Sequence, residues 1–245
     1  MNDLATFTID ALLQEKPDEM PYYFSLLNEV CMKFETIWST QAYFDHFKEM
    51  TLDPLWFASA IASNSAKEAE GARRIWEMAS RVQDPVLYDL LRQHAVDESR
   101  HARFYIAMIK FVFPWCETDL KEQLSEKLPA YTLDDHPQKK DPSSDNYLLD
   151  ELIQMNIGEI RTRVHQFMIA PILRAYCEDK NIEKINTIMK NLISDETRHV
   201  LYTAEWIESA CKQGKHEAIR KILHRRWKQF NDITQAEMAT ADFSI

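Results

Sequence analysis

The chain of 245 residues has only three glycines, and its four cysteines form no Cys-x-x-Cys. Glycine makes up roughly 7% of an average protein, and sheets use it in tight hairpins and bulges, so its scarcity excludes an all-β or collagen-like chain. Cys31, Cys116, Cys177 and Cys211 lie far apart. That excludes a zinc knuckle, a rubredoxin-type iron site and a disulfide framework, and leaves them as buried thiols. Long apolar runs are also missing. The longest, from Phe104 to Cys116, is broken by Lys110 and stays well short of the roughly 18 residues a membrane span requires. The opening MNDLATFTID has neither a basic nor an apolar leader region, so a cytoplasmic protein is the expectation. Basic charge is in deficit: 29 Lys and Arg face 39 Asp and Glu, a formal net charge of −10. Such a field repels phosphate backbones, so no nucleic-acid partner is expected. One basic run, Arg220, Lys221, His224, Arg225, Arg226 and Lys228, stands in acidic surroundings and reads as a solvated helix face.

What the chain has in abundance is Met, Leu, Glu, Lys and Gln, the residues of helices. A domain of this length buries enough surface to fold without disulfides or a structural metal, and a single domain over 1–245 is expected. Residues 1 to about 20 read as polar and loose. Pro21 opens a helix to about His46, with Leu26, Leu27, Val30, Phe34, Ile37 and Trp38 as its stripe, and the N-terminal helical segment spans 20–50. Asp53-Pro54 and Asp84-Pro85 each pair an N-cap with a proline in the first turn, which predicts helices over 54–82 and 85–112. Pro114 ends the second, and a shorter helix is expected over 117–128. The stretch from Pro129 to Asp145 carries three prolines and no apolar period, so it is a loop. Helices follow over 145–178 and 182–212, and a last one over 214–238.

Two segments share one pattern, Asp97-Glu98-Ser99-Arg100-His101 and Asp195-Glu196-Thr197-Arg198-His199, their glutamates 98 residues apart. Residues three apart on a helix are neighbours on one face, so each Glu-x-x-His offers a carboxylate and an imidazole to one point. In helical projection Leu87, Leu91, Tyr105 and Ile109 fall within about 20° of Glu98, with His94 and His101 about 40–60° away. Glu196 shares its face with Ile185, Met189, Leu192, His199, Thr203 and Ile207. Both motifs therefore point into the core, where bare carboxylates cost several kcal/mol and a metal ion is the common compensation.

Further ligands must come from the partner helices. Glu68 lies about 65° from the centre of its helix's apolar stripe and Glu70 about 135° away, which selects Glu68. Glu68 is also 14 residues before the turn and Glu98 13 after it, so the two come level. On the third helix Glu159 shares its face with Leu152, Met155, Thr162, Gln166 and Leu173. It sits about five residues too far from its turn to come level with Glu196, a mismatch of roughly 7 Å of which a π-bulge or kink at Gly158 or Pro171 would absorb part. Glu151 is worse by two more turns. The set of four carboxylates and two histidines neutralises two divalent ions, and oxygen plus imidazole donors suit iron or manganese.

With Glu68, Glu98, His101, Glu159, Glu196 and His199 in place, the chain resembles the ferritin-like di-iron carboxylate superfamily across roughly 54–212. The resemblance implies an all-α, ferritin-like four-helix bundle with a long crossover between two hairpins, plus the extra N- and C-terminal helices. It implies two iron ions, Fe–Fe or Mn–Fe, and an oxygenase or oxidase that uses O2 on a small-molecule substrate by C-hydroxylation or amine N-oxygenation. An external electron donor, a reductase or ferredoxin, would accompany it, in a monomer or homodimer. It also implies that Asp97 and Asp195 hydrogen-bond ligand histidines; pairing with Arg100 and Arg198 is the alternative. His94, one turn before Glu98, is either a core histidine or an extra ligand. Arylamine N-oxygenases of this superfamily carry such a histidine on the other hairpin, where this chain has Leu192.

Other branches stay open. Glu98-x-x-His101-x-Arg103-x-Tyr105 resembles the radical-tyrosine segment of the ribonucleotide reductase small subunit, so Tyr105 is either a radical site or a core tyrosine. Thr162, one turn from Glu159, is a proton gate or a helix filler, and His165 is structural. An iron-storage ferroxidase or a peroxide-detoxifying protein of the rubrerythrin kind would use the same ligands, although a rubrerythrin's Cys-x-x-Cys iron domain is missing.

Overall fold

The computed structural model describes residues 3–17, 19–116 and 128–240. Helices account for nearly all of them, and there is no strand among the described residues. In chain order they are α1 Asp3–Glu15, α2 Pro21–Lys33, α3 Gln41–Met50, α4 Pro54–Ser80, α5 Pro85–Val112, α6 Asp145–Tyr176, α7 Ile182–Ala210 and α8 His216–Thr240. The helix expected over 117–128 lies, but for its last residue, outside the described residues.

The two Asp-Pro starts behave as cap chemistry dictates. Asp53 accepts hydrogen bonds from the amides of Leu55 and Trp56, and Asp84 from that of Leu87, with Pro54 and Pro85 at the first helical position where no N–H is needed. The N-terminal region departs from expectation twice. Residues 3–15 form a helix rather than a loose tail, because Leu4, Ala5, Thr8, Ala11 and Leu12 are buried at helical spacing. The stripe is easily overlooked, since Thr and Ala weaken its apolar signal. The single helix expected from Pro21 to His46 is broken at Phe34–Thr36, followed by a 3-10 turn at Ile37–Ser39 and then α3. Tertiary bonds take up the backbone groups the break releases: Asn231 Oδ1 accepts from the Ile37 amide at 3.1 Å and Asn231 Nδ2 donates to the Glu35 carbonyl at 2.8 Å. Trp227 Nε1 donates to Thr36 Oγ1 at 3.1 Å.

The described residues fall into two compact units, one drawn from 1–46, 144–168 and 193–241 and the other from 47–143 and 169–192. In the first, Trp38 and Trp227 are buried against each other at 5.2 Å between centroids. The basic run of α8 is taken up by carboxylates there: Arg220 and His224 by Glu29, Arg225 and Arg226 by Asp150, Lys228 by Asp232. Burial pushes the Cys31 thiol up to about 12 and Cys211 to about 11, so both are inert at neutral pH. In the second unit α4 and α5 pack along each other. The segment 128–144 is irregular, as its prolines predict, and is strapped to that pair. Arg103 donates to the Pro129 carbonyl, Tyr131 stacks on Trp76 at 4.2 Å, Arg92 donates to the Leu133 carbonyl, and Lys140 pairs with Glu77. No helix of the described residues is long and apolar enough to cross a membrane.

Candidate metal centre

In the α4/α5 pair, His101 Nδ1 is the point on which two carboxylates converge, Glu98 Oε1 at 3.3 Å and Glu68 Oε2 at 3.8 Å. Glu68 is 14 residues into α4 and faces inward, whereas Glu70 is exposed. His94, one turn before Glu98, brings Nε2 to 3.5 Å from Glu98 Oε1. All but Glu68 are fully buried, and the Glu68 side chain is 11% exposed. Burial alone would raise the Glu98 carboxyl. Hydrogen bonds from His101 and His94 outweigh it and hold the group well below the usual carboxylate range. Gly71 makes room: a Cβ there would meet Glu98 Oε2 at 3.2 Å. Ser65 Oγ donates to the carbonyl of Ala102, the residue after His101, at 2.8 Å.

The α6/α7 pair repeats this arrangement. His199 Nδ1 lies 3.2 Å from Glu196 Oε2 and 3.9 Å from Glu159 Oε2. No π-turn is needed to bring Glu159 there, and α6 runs as an α-helix through Gly158 and Pro171. Glu159 lies 17 residues before the last residue of α6, and His199 lies 17 after the first of α7, so it is His199 that comes level with Glu159. Glu151 instead faces Arg226 at 3.9 Å. Gln166 Nε2 donates to Glu196 Oε1 at 2.8 Å and orients that carboxylate. Asn156 Nδ2 donates to the carbonyl of Val200, the residue after His199, at 3.2 Å and to Thr203 Oγ1 at 2.9 Å, while its Oδ1 accepts from Tyr23 Oη at 3.0 Å.

His94, Glu98, Glu68 and His101 on one helix pair, and Glu159, Glu196 and His199 on the other, are side chains that could hold a metal ion. Two carboxylates drawn to one imidazole away from bulk water repel each other, and a cation beside them removes that cost. The donor set could hold a metal ion, and neutral imidazole with carboxylate oxygen is compatible with a pair of iron ions.

The remaining candidates are placed as follows. Asp97 Oδ1 accepts from Arg100 at 2.7 Å and Gln93 at 2.9 Å, and Asp195 pairs with Arg198 at 2.6 Å, so the arginine pairing set against a histidine bond is present in both motifs. Tyr105 is fully buried, Thr162 half-buried, and His165 buried in α6. Sequence reasoning missed Ser65, Gly71 and Asn156, and gave Gln166 only a place on the Glu159 face. Gly71 carried a signal, being one of three glycines and one turn from Glu68. Ser65 and Asn156 carried one too: each stands three residues before its pair's first glutamate.

Compared with known proteins, the chain matches no family model, no curated protein and no solved structure.

Proposed function

We propose that the chain is a ferritin-like di-iron carboxylate protein that acts as an O2-dependent oxygenase or oxidase on a small organic substrate. One observation carries the reading: two motifs of identical pattern each set a histidine Nδ1 within 4 Å of two carboxylates, and these side chains could hold a metal ion. Two ferrous ions, when bound, supply the electrons that activate O2.

The side chains have definable tasks. His101 and His199 turn Nδ1 toward the carboxylates, so ligation there leaves the ring proton on Nε2. Gln166 keeps one oxygen of Glu196 occupied by an N–H and so restricts how that carboxylate rotates. Leu87, Leu91, Ile109, Leu192 and Ile207, all buried on the motif faces, exclude bulk water. Iron fits this donor set better than copper or structural zinc, which favour thiolates or all-nitrogen ligation.

Metal content per chain on anaerobically purified protein, followed by O2 uptake, tests the reading. Two irons per chain and O2 consumption coupled to oxidation of an organic compound are expected; no metal, or a single zinc, overturns it. A hollow shell in size exclusion would replace it with iron storage. The radical-generating alternative gains from the complete burial of Tyr105 one turn past His101. It requires a tyrosyl radical signal after oxygenation that Tyr105→Phe removes.

A further inference from the structure

Two arginines are buried among the described residues, and only one of them meets a carboxylate: Arg161 donates to Glu237. Arg163, two residues after Arg161 in α6, is only 8% exposed, yet its one hydrogen bond among the described residues runs from Nε to Thr197 Oγ1 at 3.0 Å. Its guanidinium lies 4.2 Å from the ring centre of Phe7 and 5.3 Å from that of Phe167, and those rings meet edge to face at 5.3 Å. Burial lowers this guanidinium to about 10, and no acidic neighbour among the described residues offsets the effect.

A guanidinium offers five N–H donors in a planar fork that matches a carboxylate. Thr197 takes one and gives its own proton to the Ile193 carbonyl at 2.7 Å. The four on the terminal nitrogens have no acceptor among the described residues. Two rings stabilise the charge and cover most of it, but they accept none of those donors in the manner of an anion. The desolvation that makes such a cation costly also makes it a strong receptor for an oxyanion. Packing common to both helix pairs does not explain it, because the corresponding position, four residues after Glu68, is Ala72.

Arg163 is one turn past Glu159, about 6 Å along the helix, and Thr197 directly follows Glu196. We infer that Arg163, framed by Phe7 and Phe167, binds the carboxylate of a small organic acid. The Phe167 ring, 45% exposed, offers an apolar surface to the rest of that molecule. The inference deepens the proposed function and rests on it only in making this acid the substrate, held one helical turn from Glu159.

The test titrates the full chain with phenylacetate, with neutral phenylacetamide of nearly the same shape, and with inorganic phosphate, following the Arg163 Nε–H resonance and the melting temperature. Phenylacetate is expected to shift the resonance saturably and raise the melting temperature, with phenylacetamide inert. Arg163→Met should weaken phenylacetate binding about tenfold or more while leaving metal content unchanged. Equal binding of acid and amide, equal binding by Arg163→Met, or binding of phosphate alone would overturn the inference. Should Arg163→Met not fold, the resonance shift in the native chain decides. Iron content separates the two readings: phenylacetate binding without iron leaves the anion site standing and removes the centre, whereas iron without phenylacetate binding removes only the anion site.

Discussion

Ser65 in α4 donates to the carbonyl of Ala102, and Asn156 in α6 donates to the carbonyl of Val200; each donor stands three residues before a glutamate, and each acceptor directly follows a motif histidine. The two helix pairs thus share more than the Asp-Glu-x-Arg-His pattern. Both have the Asp–Arg pair, and both have a histidine Nδ1 within 4 Å of two carboxylates. They differ in the surroundings. His94 corresponds to Leu192, Gly71 to Thr162, Ile75 to Gln166 and Ala72 to Arg163. Under the proposed function, what two cations would require is duplicated, and what a single, unsymmetrical reactant would require is not. A structural duplication with no bound ion would have no reason to keep the buried acids in both halves and vary the apolar filling.

The largest effect expected is on the donors themselves. Glu98→Ala and Glu196→Ala should each reduce two bound irons to one or none, measured as metal per chain, with helical circular dichroism intact because the surrounding stripes are long and apolar. Two irons in both variants would show that the shared feature of the two pairs is not a metal site. Collapse of the metal-free protein would show that the apolar stripes do not suffice for folding.

How far this comparison could be read from the sequence depends on the range of the interactions involved. The Asp-Pro caps, the inward faces of the two Glu-x-x-His pairs, and Glu68 over Glu70 all follow from residues within a few turns of one another. Glu159 stands opposite His199 rather than level with Glu196, because the ends of α6 and α7 are set by Tyr176 and Ile182, which turn composition alone does not place. The helix α1, the break at Phe34–Thr36, and the role of Arg163 depend on partners tens to hundreds of residues away. No local pattern encodes them.

Next in size is a contrast in stability. Asn156 engages Tyr23, Val200 and Thr203, whereas Ser65 makes a single hydrogen bond among the described residues, to a carbonyl. Asn156→Ala should cost about 2–3 kcal/mol and Ser65→Ala about 1 kcal/mol, measured by urea unfolding. Equal costs would mean that the two ties are interchangeable and that the second pair is no more tightly held.

The positions Gly71 and Thr162 give a smaller and more local contrast. A methyl at Gly71 presses on Glu98 Oε2, so Gly71→Ala should weaken metal binding about tenfold, by competition with a chelator, with little loss of stability. Thr162→Ala, at the matching place, removes only a half-buried hydroxyl and should leave the affinity close to that of the native chain. A tenfold loss in Thr162→Ala as well would show that this residue supports the centre directly and that the difference between the pairs is one of means only.

The smallest effect concerns how each pair is anchored to its neighbours. In the first pair Glu77 of α4 holds Arg81 and the strap residue Lys140; in the second, Asp150 of α6 holds Arg225 and Arg226 of α8 at 2.6 and 2.7 Å. Burial raises the Asp150 carboxyl, but the two guanidinium bonds prevail and hold it below the usual range. A depressed carboxyl stabilises the fold above its unfolded pKa of about 4, and the contribution fades as pH falls through the lower folded value. Asp150→Asn should therefore cost under about 1 kcal/mol near neutral pH, the scale of a largely solvated ion pair, and nothing at the acid end of the titration. Glu77→Gln should cost less still, because the Glu77 side chain is 45% exposed against 24% for Asp150. Melting temperatures of the two variants and the native chain from pH 7 down to the acid limit check this. A deficit in Asp150→Asn that persists unchanged into acid would mean that Asp150 acts through shape or neutral hydrogen bonds, and the two anchors would then differ in kind rather than in degree of burial.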